Sequence, residues 1–353
     1  MSLIAKAATH AVNPGLSPGP ALLLGVASRA PALAGLRHSP PAPRPEIPED
    51  GFYRGEHRVT FCFFSSPWGI NWASPRTLFL SALFNYFHPR DRKISHVAVE
   101  VQGPRRFEDA EAPFYSFASM SDRGKEVVQK LLVDQIGLGM VLSDYPGTLE
   151  TAGVLQQEMR RKVRSGRVHR VSYLISEESA FRLQLYLKEY PEKGNDRIYG
   201  GLASHPRYLE GAGCVAYARA ISEIVGLDLD ATQSRWLRTV RVSRALVGDP
   251  QQNRRVSVLK LVWGQLARRW ATPSEPHVEL SFYDPDHIFR QVAAVAQAAT
   301  GRKRLPARLS HFSGMSDLVV RRLHRSFELL FDRRDSATPT EPLWLSRPPA
   351  FPS

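Results

Sequence analysis

An α+β fold is predicted by three observations on this 353-residue chain. Short runs rich in Val, Ile, Phe and Tyr read as strands, and longer runs with apolar residues every three to four positions read as amphipathic helices. The two kinds follow one another in mixed order. A hydrophobic content of 43% with 10% aromatics supplies enough apolar surface for a sizeable core.

The elements can be justified in order. "HRVTFCFFSS", from His57, is a buried strand, and "SPRTLFLSALFNYF" is a helix with Ser74 as N-cap and Pro75 at its first position. "KISHVAVEVQ" is a strand, and "PFYSFASM" is its antiparallel neighbour after a loop. A helix over Gly153 to Ser165 leads to the strand "RVHRVSYLI". Ser176, Ser179 and two glutamates then open the helix "EESAFRLQLYLKEY", which Pro191 should stop. The loop "GNDRIYGGLASHPRYLEGAG" delivers the chain to an apolar helix that starts at Cys214 and ends before Gly226.

Beyond Arg241 three segments read as helices: "VSVLKLVWGQLARRW", "PDHIFRQVAAVAQAAT" and "MSDLVVRRLHRSFELLF". The expected organisation is a tail over 1–50, an α+β domain over 51–240, a basic, mostly helical C-terminal extension over 241–335 and a disordered tail over 336–353. The first 50 residues are Pro- and Ala-rich, a composition that buries too little surface to order itself. Within them Lys6, the apolar run Ala21 to Ala27 and Ala32-Leu33-Ala34 imitate the three parts of a secretory signal. A cytoplasmic location follows if they are a plain tail, and a periplasmic or secreted one if residues 1–34 are a signal. No apolar run is long enough to span a bilayer, so no transmembrane segment is expected.

The formal charge is +13, and from Arg241 onward 18 Lys plus Arg face 10 Asp plus Glu. That surplus suits an anionic surface or an acidic partner. Arginine doublets also follow from a GC-rich genome, so no specific nucleic acid is expected from charge alone. Two cysteines rule out a disulfide framework, no His, Cys or carboxylate pair has metal-site spacing, and no metal or cofactor is expected.

The two cysteines have different settings. Cys62 lies between Phe61 and Phe63 in an apolar strand and reads as core. Cys214 follows Gly-Ala-Gly at the first turn of a helix, with Cys214, Ala218, Ile221 and Val225 on one stripe. Free N–H groups there stabilise a thiolate and receive a developing oxyanion. The same stripe also suits a small buried hydrophobe.

A nucleophilic cysteine needs a base. In "ISHVAVEV" the valines 97, 99 and 101 share one face, which leaves His96 beside the small Ala98 on a face able to meet the cysteine helix. A histidine near a strand start is as often a half-exposed surface residue. His205, nine residues before Cys214, is a lesser candidate; His88 and His169 have no comparable setting.

The "SHVAVEV" strand, the "IYGG" loop and the glycine-preceded cysteine together resemble the papain-like NlpC-type superfamily over about residues 57–228. With histidine before cysteine, the order is similar to its circularly permuted branch, the YiiX-like and lecithin:retinol acyltransferase-like thiol hydrolases. The resemblance implies an antiparallel sheet with the cysteine helix packed on it, and a cysteine hydrolase (peptidase or amidase) or acyltransferase working through an acyl-enzyme thioester. It implies Cys214 as nucleophile, His96 as base, and Tyr199 and Gly213 as substrate-binding. The residue that orients the base is expected on the strand after the histidine, where relatives often carry glutamate. Here "FYSFASM" offers Ser116 or Ser119, with Ser116 preferred. The implied substrate carries an amide or ester, such as a peptidoglycan peptide or a lipid. The competing class is a non-enzymatic scaffold of the same fold whose Arg-rich C-terminal helices bind nucleic acid or another acidic partner.

Overall fold

Eight strands form one sheet in the order β6-β4-β3-β2-β1-β5-β10-β9. They are β1 (His57–Phe64), β2 (His96–Gly103), β3 (Phe114–Asp122), β4 (Tyr145–Glu150), β5 (Val168–Ile175), β6 (Ile198–Tyr199), β9 (Leu318–Leu323) and β10 (Ser326–Arg333). Every neighbouring pair is antiparallel except β10 with β5, so the sheet is mixed and the fold α+β. Strands β7 (Leu237–Ser243) and β8 (His277–Tyr283) pair in a separate sheet. The computed structural model describes residues 56–87, 95–104, 114–122, 125–227, 236–249, 253–301 and 318–347. The expected tail over 1–50 and His88 lie outside them.

Seven helices are α1 (Pro75–Tyr86), α2 (Lys125–Leu132), α3 (Ala152–Ser165), α4 (Glu177–Glu192), α5 (Cys214–Ile224), α6 (Val258–Trp263) and α7 (Pro285–Ala299), among the described residues. Ser74 caps α1, its hydroxyl accepting from Thr77 N while Thr77 Oγ1 accepts from Ser74 N at 2.9 Å. Ser176 caps α4, which runs one residue past Pro191 because a proline in the last turn leaves little helix to break.

Pleating sorts the strands into two cores. Val59, Phe61, Phe63, Val97, Val99, Val101, Val171 and Tyr173 pack with side chains of α4, α5 and α7. Cys62, Phe64, Ala98, Phe117 and Val168 face the other way, onto Leu155 of α3. Burial pushes the Cys62 thiol up to about 12. On the same side Arg170 is paired with buried Glu100, and Ser172 donates to buried Glu328 at 2.5 Å. A third core joins α1 and α6 to the small sheet through Leu78, Phe79, Leu261 and Phe282.

The C-terminal part departs from the helical expectation. The described residues of 241–335 are not a mostly helical extension: strands from β7 to β10 run through them, and β10 sits in the main sheet beside β5. In "MSDLVVRRLHRSFELLF" the period is two, with Phe327, Leu329 and Phe331 entering the main core. His324, at φ 54, sits between the strands and turns β9 back into β10. In "VSVLKLVWGQLARRW" only Val258–Trp263 is α-helical, and a single turn, Gln265–Arg268, follows Gly264.

Residues 336–347 are likewise not a tail. Trp344 stacks 4.8 Å from Tyr186 and donates to Glu189 at 2.5 Å. Buried Arg207, from the loop before Cys214, donates to Glu341 Oε1 at 2.6 Å and to the carbonyls of Pro342 (2.6 Å) and Leu343 (3.1 Å). Arg207 also joins the loop to α5 by meeting Glu223 at 3.3 Å, and Glu223 further meets His205 at 3.1 Å and Arg219 at 2.9 Å.

Burial alone would raise the Glu223 carboxyl, but the His205 ring and the Arg219 guanidinium hold it at about 2. A depressed carboxylate contributes stability above its unfolded-state value of 4.5 and loses it as pH falls toward 2. After screening at a partly exposed site, Glu223→Gln is expected to cost about 1–2 kcal/mol at pH 7. Denaturant unfolding should show that gap closing between pH 4.5 and 2.

Candidate active site

The nucleophile candidate stands where α5 begins. Gly213 is the N-cap in extended conformation and, as glycine, offers no capping side chain to the first-turn amides of α5. The preceding loop is drawn in tightly. A Cβ on Gly201 would stand 2.6 Å from the Leu142 carbonyl carbon, and Leu202 N donates to Val141 O at 2.8 Å. Tyr199, on β6 beside Tyr145 of β4, is thereby set next to the helix start, its hydroxyl 3.5 Å from where a Gly213 Cβ would lie.

These elements bring three groups to the Cys214 sulfur: the His96 imidazole, the Val97 backbone N–H and the Tyr199 hydroxyl all hydrogen-bond it. Burial pushes the Cys214 thiol up, yet the His96 charge and these donors outweigh it and hold the thiol below its ordinary value. The Tyr199 hydroxyl is pushed well above its usual range, first by burial and then by the neighbouring sulfur. It also accepts from the Cys214 backbone N–H, so two candidate oxyanion donors converge beside the sulfur.

His96 reaches this position by a route that the strand pattern does not give. The helix α5 packs on the valine face of β2, not on the Ala98 face, which belongs to α3. His96 is the first residue of β2, paired with Phe64, and it meets the cysteine at the end of the strand. The ring is buried, lies 6.0 Å from Phe64, and places Nε2 3.4 Å from Glu150 Oε2.

Glu150 therefore stands where Ser116 was expected. Ser116 pairs with Val101, five residues along β2 from His96 and roughly 17 Å away at strand rise. Ser119 is closer: it is buried, sits opposite Glu150, and donates to Val97 O at 2.5 Å rather than to the histidine. The glutamate is missed because "YPGTLE" contains Pro and Gly, both depleted in strands. The surviving signal is alternation, since Tyr145 and Gly147 are buried while Pro146 and Thr148 are exposed.

The remaining histidines fall elsewhere. His205 is turned to Glu223, nine residues along α5 from Cys214 and about 13 Å at helical rise. His169 accepts from Phe327 N at 3.0 Å, and burial pushes it down to about 4, which makes it a neutral core acceptor. Among the described residues no group of three or more His, Cys, Asp or Glu is arranged to hold a metal ion.

Cys214 opens onto a cavity of about 290 Å³. Ile70, Trp72, Leu78, Phe79, Met140 and Phe282 are among the apolar residues of its wall, with Asp122 and Arg219 among the few charged members. The class that fold and site define is an α+β protein with a buried Cys–His–Glu cluster at a helix N-terminus. Comparison with family models, curated proteins and solved structures finds no match for the chain.

Proposed function

We propose that the protein is a thiol hydrolase or acyltransferase of the permuted papain-like NlpC type, with Cys214 as nucleophile and His96 as its base. The observation that carries this reading is the Cys214–His96 pair, with Glu150 3.4 Å from the imidazole, where Cys214 itself opens onto an apolar cavity.

The chemistry follows from the groups present. The thiolate attacks the carbonyl carbon of an ester or amide, and the carbonyl oxygen takes up the electron pair beside the Cys214 N–H and the Tyr199 hydroxyl. His96, protonated in the ion pair, gives its proton to the departing alcohol or amine as the carbon–heteroatom bond breaks, leaving a Cys214 thioester. Water, or an acceptor hydroxyl or amine, then attacks the thioester while His96 takes the incoming proton. The thiolate leaves and the pair is restored. The apolar wall favours a substrate with an apolar acyl group over a charged peptidoglycan peptide.

The test is acyl-enzyme capture. Mixing the full chain with a medium-chain p-nitrophenyl ester should add one acyl mass at Cys214, removable by neutral hydroxylamine, and Cys214→Ala should add none. An adduct confined to Cys62, or one resistant to hydroxylamine, would sink the proposal. Tyr199→Phe retains the ring but removes one oxyanion donor. It is expected to lower kcat about 10–100-fold, below the full loss seen for stronger donors, with KM little changed.

A further inference from the structure

The exposed aromatic side chains are not scattered. All four exposed Trp and Phe residues among the described residues, Trp68, Phe84, Phe87 and Trp263, lie in two segments, 65–87 and 253–274. Leu259 and Leu266 accompany them, and these six side chains are between 45% and 68% exposed. The two segments pack on each other through α1, α6 and the turn after it.

Their charge is as uneven as their hydropathy. Neither segment contains an Asp or Glu, and 253–274 alone carries Arg254, Arg255, Lys260, Arg268 and Arg269. On α6, Leu259 and Trp263 are one turn apart on the outer face with Lys260 between them, while Leu261 turns inward to the core. The nearest acid in sequence after this stretch, Glu275, is taken by Arg269 at 2.6 and 2.7 Å.

Exposed aromatic and aliphatic side chains interleaved with cations, without acids, are the chemistry of a surface that enters the headgroup layer of an anionic bilayer. Nucleic acid would use the cations and aromatic faces but gains nothing from exposed leucines. The surface also adjoins the cavity. An open groove of about 680 Å³ beside Trp68 and Phe84 is bounded by Arg238 and Arg290, and Ile70 and Trp72 line both that groove and the Cys214 cavity.

We propose that segments 65–87 and 253–274 form a peripheral docking surface for membranes rich in anionic lipid, seating Trp263, Leu259 and Leu266 in the headgroup layer. Docking does not depend on the thiol chemistry, and Cys214→Ala is expected to dock as the wild type does.

The test is cosedimentation of the full chain with vesicles of phosphatidylcholine alone, or with roughly 30% phosphatidylserine added. Binding to the anionic vesicles is expected to be at least about tenfold tighter, and to fall about tenfold or more in Leu259→Glu/Trp263→Glu and in Lys260→Glu/Arg268→Glu. Arg322→Glu/Arg325→Glu, the same charge change at exposed positions of the β9–β10 hairpin, should leave binding within about twofold. Hydrogen exchange of the unaltered protein should slow over 255–270 when vesicles are added, a readout that needs no variant. Absence of vesicle binding, equal losses from both charge reversals, or tighter binding to a single-stranded oligonucleotide that survives Leu259→Glu/Trp263→Glu would overturn the proposal.

Discussion

Replacing His96 with alanine is expected to silence Cys214. In the intact site burial pushes the thiol up, while the imidazole charge, its hydrogen bond, Val97 N–H and the Tyr199 hydroxyl hold it below its ordinary value. A Cys is an acid, so a lowered pKa keeps the thiolate present at pH values where a free thiol is protonated. Removing His96 takes away the largest of the lowering influences and leaves burial opposed only by Val97 and Tyr199. Even a thiol returned merely to about 8.5 is only ~3% ionised at pH 7.

Iodoacetamide labelling of Cys214 at pH 7 should therefore fall, and its midpoint should move upward in pH. Turnover should fall further, by about 10³-fold, because the leaving group also loses its proton donor. Cys62 serves as an internal blank, since burial pushes its thiol up to about 12. A Cys214 that titrates near its ordinary value with and without His96 would sink the dyad.

The legible part of this site and the hidden part differ for physical reasons. Cys214 could be read because a helix N-terminus after Gly-Ala-Gly is a local feature, written in adjacent residues. His96 was singled out by its strand, but the reason for the contact was misplaced: the valine ridge, not the Ala98 face, meets α5.

The same logic separates the other successes from the failures. Elements marked by a cap signal or a long apolar run, such as α1, α4, β1 and β5, match the sequence pattern. The β9–β10 hairpin was hidden because "LVVRRLHRSFELLF" supports both a helical and a two-residue reading, and pairing with β5, some 160 residues earlier in sequence, decides between them. The strap over 336–347 is held by Arg207 and Trp344, contacts across more than 130 residues that no local window contains.

Glu150 is the sharpest case of such a long-range assignment, and its removal is expected to have the second large effect. Its carboxylate lies 3.4 Å from His96 Nε2, close enough to pair with and stabilise the imidazolium formed when Cys214 ionises. Glu150→Gln preserves the shape and one hydrogen-bonding oxygen but removes the charge. The expected result is a fall in kcat of about 10²–10⁴ with KM changed only a few-fold, because the lost interaction acts on the proton-transfer steps.

Cys214 labelling in Glu150→Gln should shift upward in pH, though less than in His96→Ala, since the imidazole and its hydrogen bond to sulfur remain. Ser116→Ala discriminates the two assignments. Ser116 lies opposite Val101 rather than near His96, so its kcat should stay within about twofold of the unaltered protein. A serine variant that lost more activity than Glu150→Gln would return the orienting role to β3. A Glu150→Gln protein with unchanged kcat would mean that burial against Phe64 and the bond to Cys214 alone suffice to hold the ring. A neutral amide and a carboxylate fill the same space beside Nε2, so any difference between them measures the charge.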